Sequence, residues 1–276
     1  MSKFYYSYFG NKRSEVNHID EFVNYEDFDK IIEPFAGSCA LSLDLFYRGM
    51  KKKYIVNDID KDHICMLWHI KEHGTSKDLY EFVNANLNKE TWQRIRDSNN
   101  KDTYEHFYSK RVTSTFSRPN MPAEFKQYIP FKTVEMTDRF FTEAKITNRD
   151  WRRCIDRYKD DPRALIFLDP PYFSSFNATY INYKTNDRTD MTEMYVEILN
   201  YLKTARATII MIINGCAILN HVYHDYIVKR YKKMYGSNHK VMGDDGTYNM
   251  KDDGSYIMKK NTSPHMVVLG GGNNNN

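Results

Sequence analysis

Apolar residues along this chain gather in short runs that end abruptly in turn residues: Lys30-Ile31-Ile32, Tyr54-Ile55-Val56, Ala164 to Leu168, Thr208 to Ile213, and His265 to Leu269. Runs of that length without polar alternation predict strands buried on both faces. Helix-period patterns follow several of them, over Ala40 to Arg48, Asp62 to Glu72 and Met191 to Lys203. In the last of these Met194, Ile198, Tyr201 and Leu202 share a face. Strand and helix in alternation predict an α/β fold with a doubly wound sheet. From His63 to Phe141 the pattern changes. Helical stretches at Asp78 to Asn86 and Thr91 to Asp97 precede a loop-rich segment, His106 to Val134, and no apolar strand interrupts them. This predicts a helical and irregular insertion after the second strand. A basic run, Lys229-Arg230-Tyr231-Lys232-Lys233, reads as part of a helix with a solvated or phosphate-facing side.

Composition adds limits to this outline. With 276 residues, 41% hydrophobic and 15% aromatic, the chain can bury a sizeable core, which excludes a mostly disordered protein. A balance of 40 basic to 36 acidic groups permits a polyanionic partner without requiring one. Cys39, Cys65, Cys154 and Cys216 stand far apart with no zinc-ligand spacing, so reduced thiols and no metal are expected. His63, His69 and His73 lie near Cys65 but lack the acidic partners of a metal site. No apolar run approaches membrane-spanning length and no secretory leader is visible. The expected location is therefore the cytoplasm, the nucleoid or a viral replication compartment, with no membrane partner. The closing residues 270–276, three Gly and four Asn, are low-complexity and are expected to form a disordered tail.

Three segments carry candidate chemistry. In Leu165-Ile166-Phe167-Leu168-Asp169-Pro170-Pro171-Tyr172, an apolar strand runs into an acid, two prolines and an aromatic. The prolines have fixed φ and no N–H, so the loop is stiff and its carbonyls are presented as acceptors. A carboxylate beside a carbonyl can accept both hydrogens of an exocyclic amino group, while the tyrosine ring offers a stacking face. The second segment, Ile31-Ile32-Glu33-Pro34-Phe35-Ala36-Gly37-Ser38-Cys39-Ala40, is a strand, a small-residue loop and a helix start. It lacks both the three-glycine dinucleotide fingerprint and the Lys-Ser/Thr of a phosphate loop, which disfavours hydride transfer and nucleotide hydrolysis. The third is Val56-Asn57-Asp58-Ile59-Asp60, an acid ending the second strand where two ribose hydroxyls can be bound. Asp60 caps the next helix in this reading, or the two aspartates exchange roles.

Taken in order, Tyr8-Phe9-Gly10-Asn11-Lys12-Arg13, Glu33-Pro34-Phe35-Ala36-Gly37-Ser38, Asn57-Asp58-Ile59 and Asp169-Pro170-Pro171-Tyr172 resemble the Dam-type (alpha-group) DNA adenine-N6 methyltransferases, including viral members. The resemblance spans about residues 5–216. It implies a Rossmann-like class I methyltransferase sheet over residues 1–62 and 143–276, with a DNA-recognition insertion over 63–142. It also implies S-adenosylmethionine as cofactor. Tyr8 and Lys12 would belong to the cofactor site, with Lys12 at its carboxylate. Phe35 and Gly37 would line its methionine and ribose, Asp58 would hold the ribose hydroxyls, and Asp150 would accept from its adenine. Asp169, also beside the cofactor, would hold the target adenine together with Pro170 and Tyr172. Tyr180 and Tyr183 resemble the family's aromatic loop at the DNA. Where many members have a second loop glycine, this chain has Cys39.

Between residues 106 and 133, five basic residues, Lys110, Arg111, Arg118, Lys126 and Lys132, face one acid and are interleaved with six aromatics. Cations suit phosphates, and aromatics can stack where a base has left the duplex. The expected activity is methyl transfer to N6 of a flipped adenine in double-stranded DNA, with a cognate restriction endonuclease as a candidate partner. Cytosine N4, an RNA base or a protein glutamine are alternative acceptors. A non-catalytic DNA-binding relative is the alternative from another class.

Overall fold

The computed structural model describes residues 12–74, 76–112, 131–172, 189–240 and 258–272. Tyr8, Arg118, Lys126, Tyr180 and Tyr183 lie outside the described residues. Among the described residues, the strands are β1 (Lys30–Glu33), β2 (Lys53–Asn57), β3 (Lys145–Thr147), β4 (Ala164–Leu168), β5 (Thr208–Asn214), β6 (Ile227–Lys240) and β7 (Met258–Gly271). They join one sheet in the order β3-β2-β1-β4-β5-β7-β6. β1 runs parallel to β2 and β4, β2 runs parallel to β3, and β6 and β7 are antiparallel. This is the mixed α/β, Rossmann-like arrangement that the alternating pattern predicts. The chain divides into two compact units, one of residues 1–169, 203–210 and 270–276, the other of residues 170–202 and 211–269.

In the first unit, Ile31 and Ile32 of β1, Tyr54 to Val56 of β2 and all five residues of β4 are buried, as unalternated apolar runs require. Because β1 lies between β2 and β4, the strand order reverses beside it. A crevice opens outside the carboxyl ends of strands at such a switch point. Glu33, Asp58 and Asp169 all stand at those ends.

Helix α1 (Ala40–Tyr47) follows β1, and α2 (Lys61–His73) follows β2. The inserted region continues with α3 (Ser76–Ala85), α4 (Lys89–Asp97), α5 (Thr103–Val112) and α6 (Phe131–Glu143). Of the segment read as loop-rich, residues 106–112 and 131–134 are helix, and residues 113–130 lie outside the described residues. Aromatics pack the helices of the insertion together: Phe82 of α3 meets Tyr104 of α5 edge-on at 5.4 Å. Phe140 of α6 packs against Phe46 of α1 and Tyr54 of β2, each at 5.5 Å, which fastens the insertion to the sheet. Lys110 and Arg111 fall in α5 and Lys132 in α6.

Strand β3 and helix α7 (Trp151–Tyr158) carry no strong pattern. β3 has three residues with only Ile146 buried, as suits an edge strand. In α7 Trp151, Cys154 and Ile155 face inward at helical spacing while arginines hide the pattern. Within the expected tail of residues 270–276, β7 continues through Gly271, and residues 273–276 lie outside the described residues. Gly271 has φ +67°, and a Cβ there would stand 2.1 Å from the Ala207 carbonyl oxygen. Gly272 N donates to the same oxygen at 3.0 Å. These glycines end a strand by close backbone approach, which composition alone does not separate from a linker.

In the second unit, α8 (Thr189–Thr204) contributes most of its length, and α9 (Ala217–Val222) precedes β6. The basic run at residues 229–233 is strand, not helix. Val228, Arg230 and Lys232 are exposed while Ile227, Lys229, Tyr231 and Lys233 are half-buried, a period of two set by pairing with β7. Lysines on both faces conceal that alternation in the sequence.

Candidate active site

The carboxyl end of β1 starts the site. Glu33 is buried, and its Oε1 accepts from Ser42 N at 2.7 Å, which ties the strand to the first turn of α1. Burial raises its pKa to about 7, with the nearby charge of Asp169 adding to the effect. In the loop between them, Gly37 has φ +44° and Cys39 has φ +53°. Cys39 is the one non-glycine with positive φ among the described residues, which explains why glycine suits this position. Its thiol is buried, and burial pushes its pKa well above the ordinary range, so it is no nucleophile.

The two aspartates after β2 divide the work. Asp58 accepts from Gly37 N and from Asp60 N, each at 3.0 Å, and so orients its carboxylate against the loop. Asp60 caps α2 by accepting from His63 N at 3.1 Å. His63 Nε2 lies 2.6 Å from the Gly37 carbonyl oxygen, bracing the loop from the other side. Buried Asn57 acts as a bracket: Nδ2 donates to the Pro34 and Arg149 carbonyls, and Oδ1 accepts from Arg149 N and Thr147 Oγ1. All four of its ordinary bonds are made, joining the segment after β3 to the ends of β1 and β2. There Asp150 caps α7 through Arg152 N at 2.8 Å, and Trp151 packs on Phe35 with ring centroids 5.6 Å apart.

Lys12 and Asp169, 157 residues apart, form an ion pair. Lys12 is 1% exposed and the Asp169 side chain 23% exposed, so the ammonium is enclosed and the carboxylate is partly open to solvent.

In the second unit the other end of the tetrapeptide has its own support. Tyr172 Oη lies 3.2 Å from His265 Nε2 on β7. The Pro171 carbonyl accepts from Tyr195 Oη of α8 at 2.8 Å, and Tyr223 Oη donates to the Tyr195 carbonyl at 2.6 Å. A stiff loop is thereby held at two successive residues.

Phe35, Gly37 and Asp58 thus share one neighbourhood with Asp150 through Asn57 and Trp151, and Lys12 meets Asp169. Pattern reading assigned no part to Glu33, Asn57, Tyr195, Tyr223 or His265. Glu33 and Asn57 adjoin the named motifs, which was an available signal. The other three have none, since their partners are distant in the chain. His63, which the sequence sets near Cys65 without the partners of a metal site, braces the Gly37 loop.

A solved tRNA (m1A58) methyltransferase from Aquifex aeolicus superposes over 94% of this chain and 68% of its own, with 11% identity and a TM-score of 0.36, values that carry no weight for function. The type II methyltransferase M.CviBI of Paramecium bursaria Chlorella virus NC1A is 26% identical over 243 residues, covering 82% of this chain and 88% of the viral protein. The type II methyltransferase M.MjaIII of Methanocaldococcus jannaschii is 26% identical over 216 residues, covering 64% and 73% respectively. Residues 8–237 match the D12 class N6 adenine-specific DNA methyltransferases. That match embraces the carboxyl ends of β1, β2 and β4 and most of the chain, and the protein belongs to this family of DNA methyltransferases.

Proposed function

We propose that this enzyme transfers the methyl group of S-adenosylmethionine to N6 of an adenine flipped out of double-stranded DNA. The observation that carries the reading is Asp169, held at the carboxyl end of β4 by a buried lysine and followed directly by two prolines and a tyrosine.

The donors present suit the cofactor. Asp58 is an oriented carboxylate for two ribose hydroxyls, Lys12 an ammonium for a carboxylate, and Phe35 with Trp151 an aromatic wall. Gly37 supplies backbone without a side chain, and Asp150 an acceptor for the adenine amino group. Tyr8 completes this set in the N-terminal segment. When bound, S-adenosylmethionine supplies an electrophilic methyl group.

The amino lone pair of adenine is delocalised into its ring. Hydrogen bonds from N6 to Asp169 and to the Pro170 carbonyl localise that pair as nitrogen moves toward tetrahedral geometry, an interaction stronger in the transition state than before it. Lys12 is the ion-pair partner of Asp169, and an ionised carboxylate offers acceptors only. Tyr172 stacks on the extruded base. Lys110, Arg111, Arg118, Lys126 and Lys132 neutralise phosphates, and Tyr180 and Tyr183 act at the DNA. Replacing Arg118 and Lys126 with Ala lowers the log–log salt slope of DNA binding by about one per lost phosphate contact. The type II relatives favour a restriction-modification setting with a cognate endonuclease.

Long-read sequencing of DNA from cells expressing the chain tests this reading. The expected result is N6-methyladenine in one fixed sequence context, absent with Asp169→Ala. Modified cytosine, or no modified base, overturns it.

A further inference from the structure

We propose that His265 is a positioning residue that holds the Tyr172 ring in place, through a hydrogen bond at the tyrosine hydroxyl and edge-to-face packing on the ring. The proposal rests on the reading of Tyr172 as the stacking platform for the target base and names what holds that platform.

The tautomer of the neutral His265 ring follows from its neighbours. Nδ1 lies 3.2 Å from the Ser263 carbonyl oxygen, which can only accept, so Nδ1 carries the proton. In the neutral ring Nε2 is then a bare acceptor, and it faces Tyr172 Oη at 3.2 Å, so the hydroxyl donates. The two rings meet edge to face, 77° between planes with centroids 5.6 Å apart. His265 itself is 1% exposed. Its cross-strand partner Tyr231 packs on it at 5.7 Å. The imidazole is therefore fixed by a carbonyl on its own strand and a ring on the next before it meets Tyr172. A hydroxyl anchor at the far end of a tyrosine ring fixes the first side-chain torsion, and because the hydroxyl lies on the axis of the second, the edge-to-face imidazole is what restricts the ring plane. A stacking surface needs that restriction, because a misoriented ring loses overlap with the base. Nothing in this arrangement touches a reacting atom, so His265 acts through Tyr172.

The test is a double-mutant cycle on single-turnover methylation of an oligonucleotide carrying the mapped site, with 2-aminopurine fluorescence at the target position as a second readout. Tyr172→Phe removes the donor and His265→Phe the acceptor. Each is expected to slow methyl transfer by about 3- to 10-fold, the scale of one hydrogen bond, and to weaken the fluorescence change, with the KM for S-adenosylmethionine unchanged. The double variant is expected to be no slower than the slower single one. His265→Gln, which places an amide oxygen near the Nε2 position, recovers most of the loss and serves if His265→Phe does not fold. Independent losses that multiply in the double variant overturn the proposal alone. So does a His265→Phe loss matched by a raised cofactor KM. A wild-type chain that methylates no DNA overturns the reading of Tyr172 and the proposal with it.

Discussion

The two ends of Asp169-Pro170-Pro171-Tyr172 are held by different forces. At Asp169 the support is charge: a buried ammonium faces a carboxylate, with the buried acid Glu33 close enough for the two carboxyl groups to influence each other. At Tyr172 the support is neutral: one hydroxyl-to-imidazole hydrogen bond, ring packing, and a second tyrosine on the preceding carbonyl. The difference matches the chemistry each end is asked to perform. An acceptor that must strengthen as nitrogen becomes nucleophilic benefits from a fixed full charge. A stacking ring needs orientation, and a charge beside it would add a desolvation cost without helping.

Substitutions at the charged end carry the largest expected effects. Asp169→Ala should slow single-turnover methylation by at least ~100-fold while cofactor and DNA binding largely persist. Full activity in that variant would reduce the motif to a structural turn. Lys12→Met leaves a carboxylate without its cation, and loss of one partner of a buried pair costs on the order of 3 kcal/mol. Chemical denaturation should show Lys12→Met with Asp169→Asn to be more stable than Lys12→Met alone. Equal stability would mean that charge is not the support.

Glu33 gives the charged end a pH dependence. Its folded pKa, about 7, lies above the ordinary value of 4.5, so the folded state binds the extra proton between those values. The stability it contributes is fully present below about pH 4.5 and is lost as pH rises through 7. Glu33→Gln, which keeps an oxygen for Ser42 N, should therefore become more stable than wild type above pH 7, by on the order of 3 kcal/mol at most. Melting temperatures of the two proteins at pH 5 and pH 8 check the sign, and parallel curves would refute it.

At the neutral end, Tyr172→Ala should lose about 1–3 kcal/mol of stacking, read as a weaker 2-aminopurine response on DNA binding. A response equal to wild type would remove the ring from the base site. The smallest effect belongs to Cys39→Gly, which relieves a left-handed residue at φ +53° but removes a buried side chain. The two contributions oppose each other, so the net change in stability should stay within about 1 kcal/mol. A larger loss would show the thiol packing to matter more than the backbone.

What the sequence determined by itself was local. Apolar runs with abrupt ends specify β1, β2, β4 and β5, because a strand buried on both faces must be apolar throughout. The acids that follow those runs are placed at strand ends by chain continuity alone, which is why Glu33, Asp58 and Asp169 could be located without coordinates. Turn chemistry likewise identifies the loop at Gly37 and the cap at Asp60, although which of Asp58 and Asp60 caps the helix waited for the fold. Tertiary structure decided everything that depends on a partner distant in the chain. Lys12 reaches Asp169 across 157 residues, and Tyr172 reaches His265 across 93. No pattern near either member announces the other, since an isolated lysine or histidine has the same local preferences with or without a partner. The strand at residues 229–233 and the end of β7 at Gly271 belong to the same class. A basic strand is specified by the neighbour it pairs with, and a closing glycine by the Ala207 carbonyl that leaves no room for a Cβ.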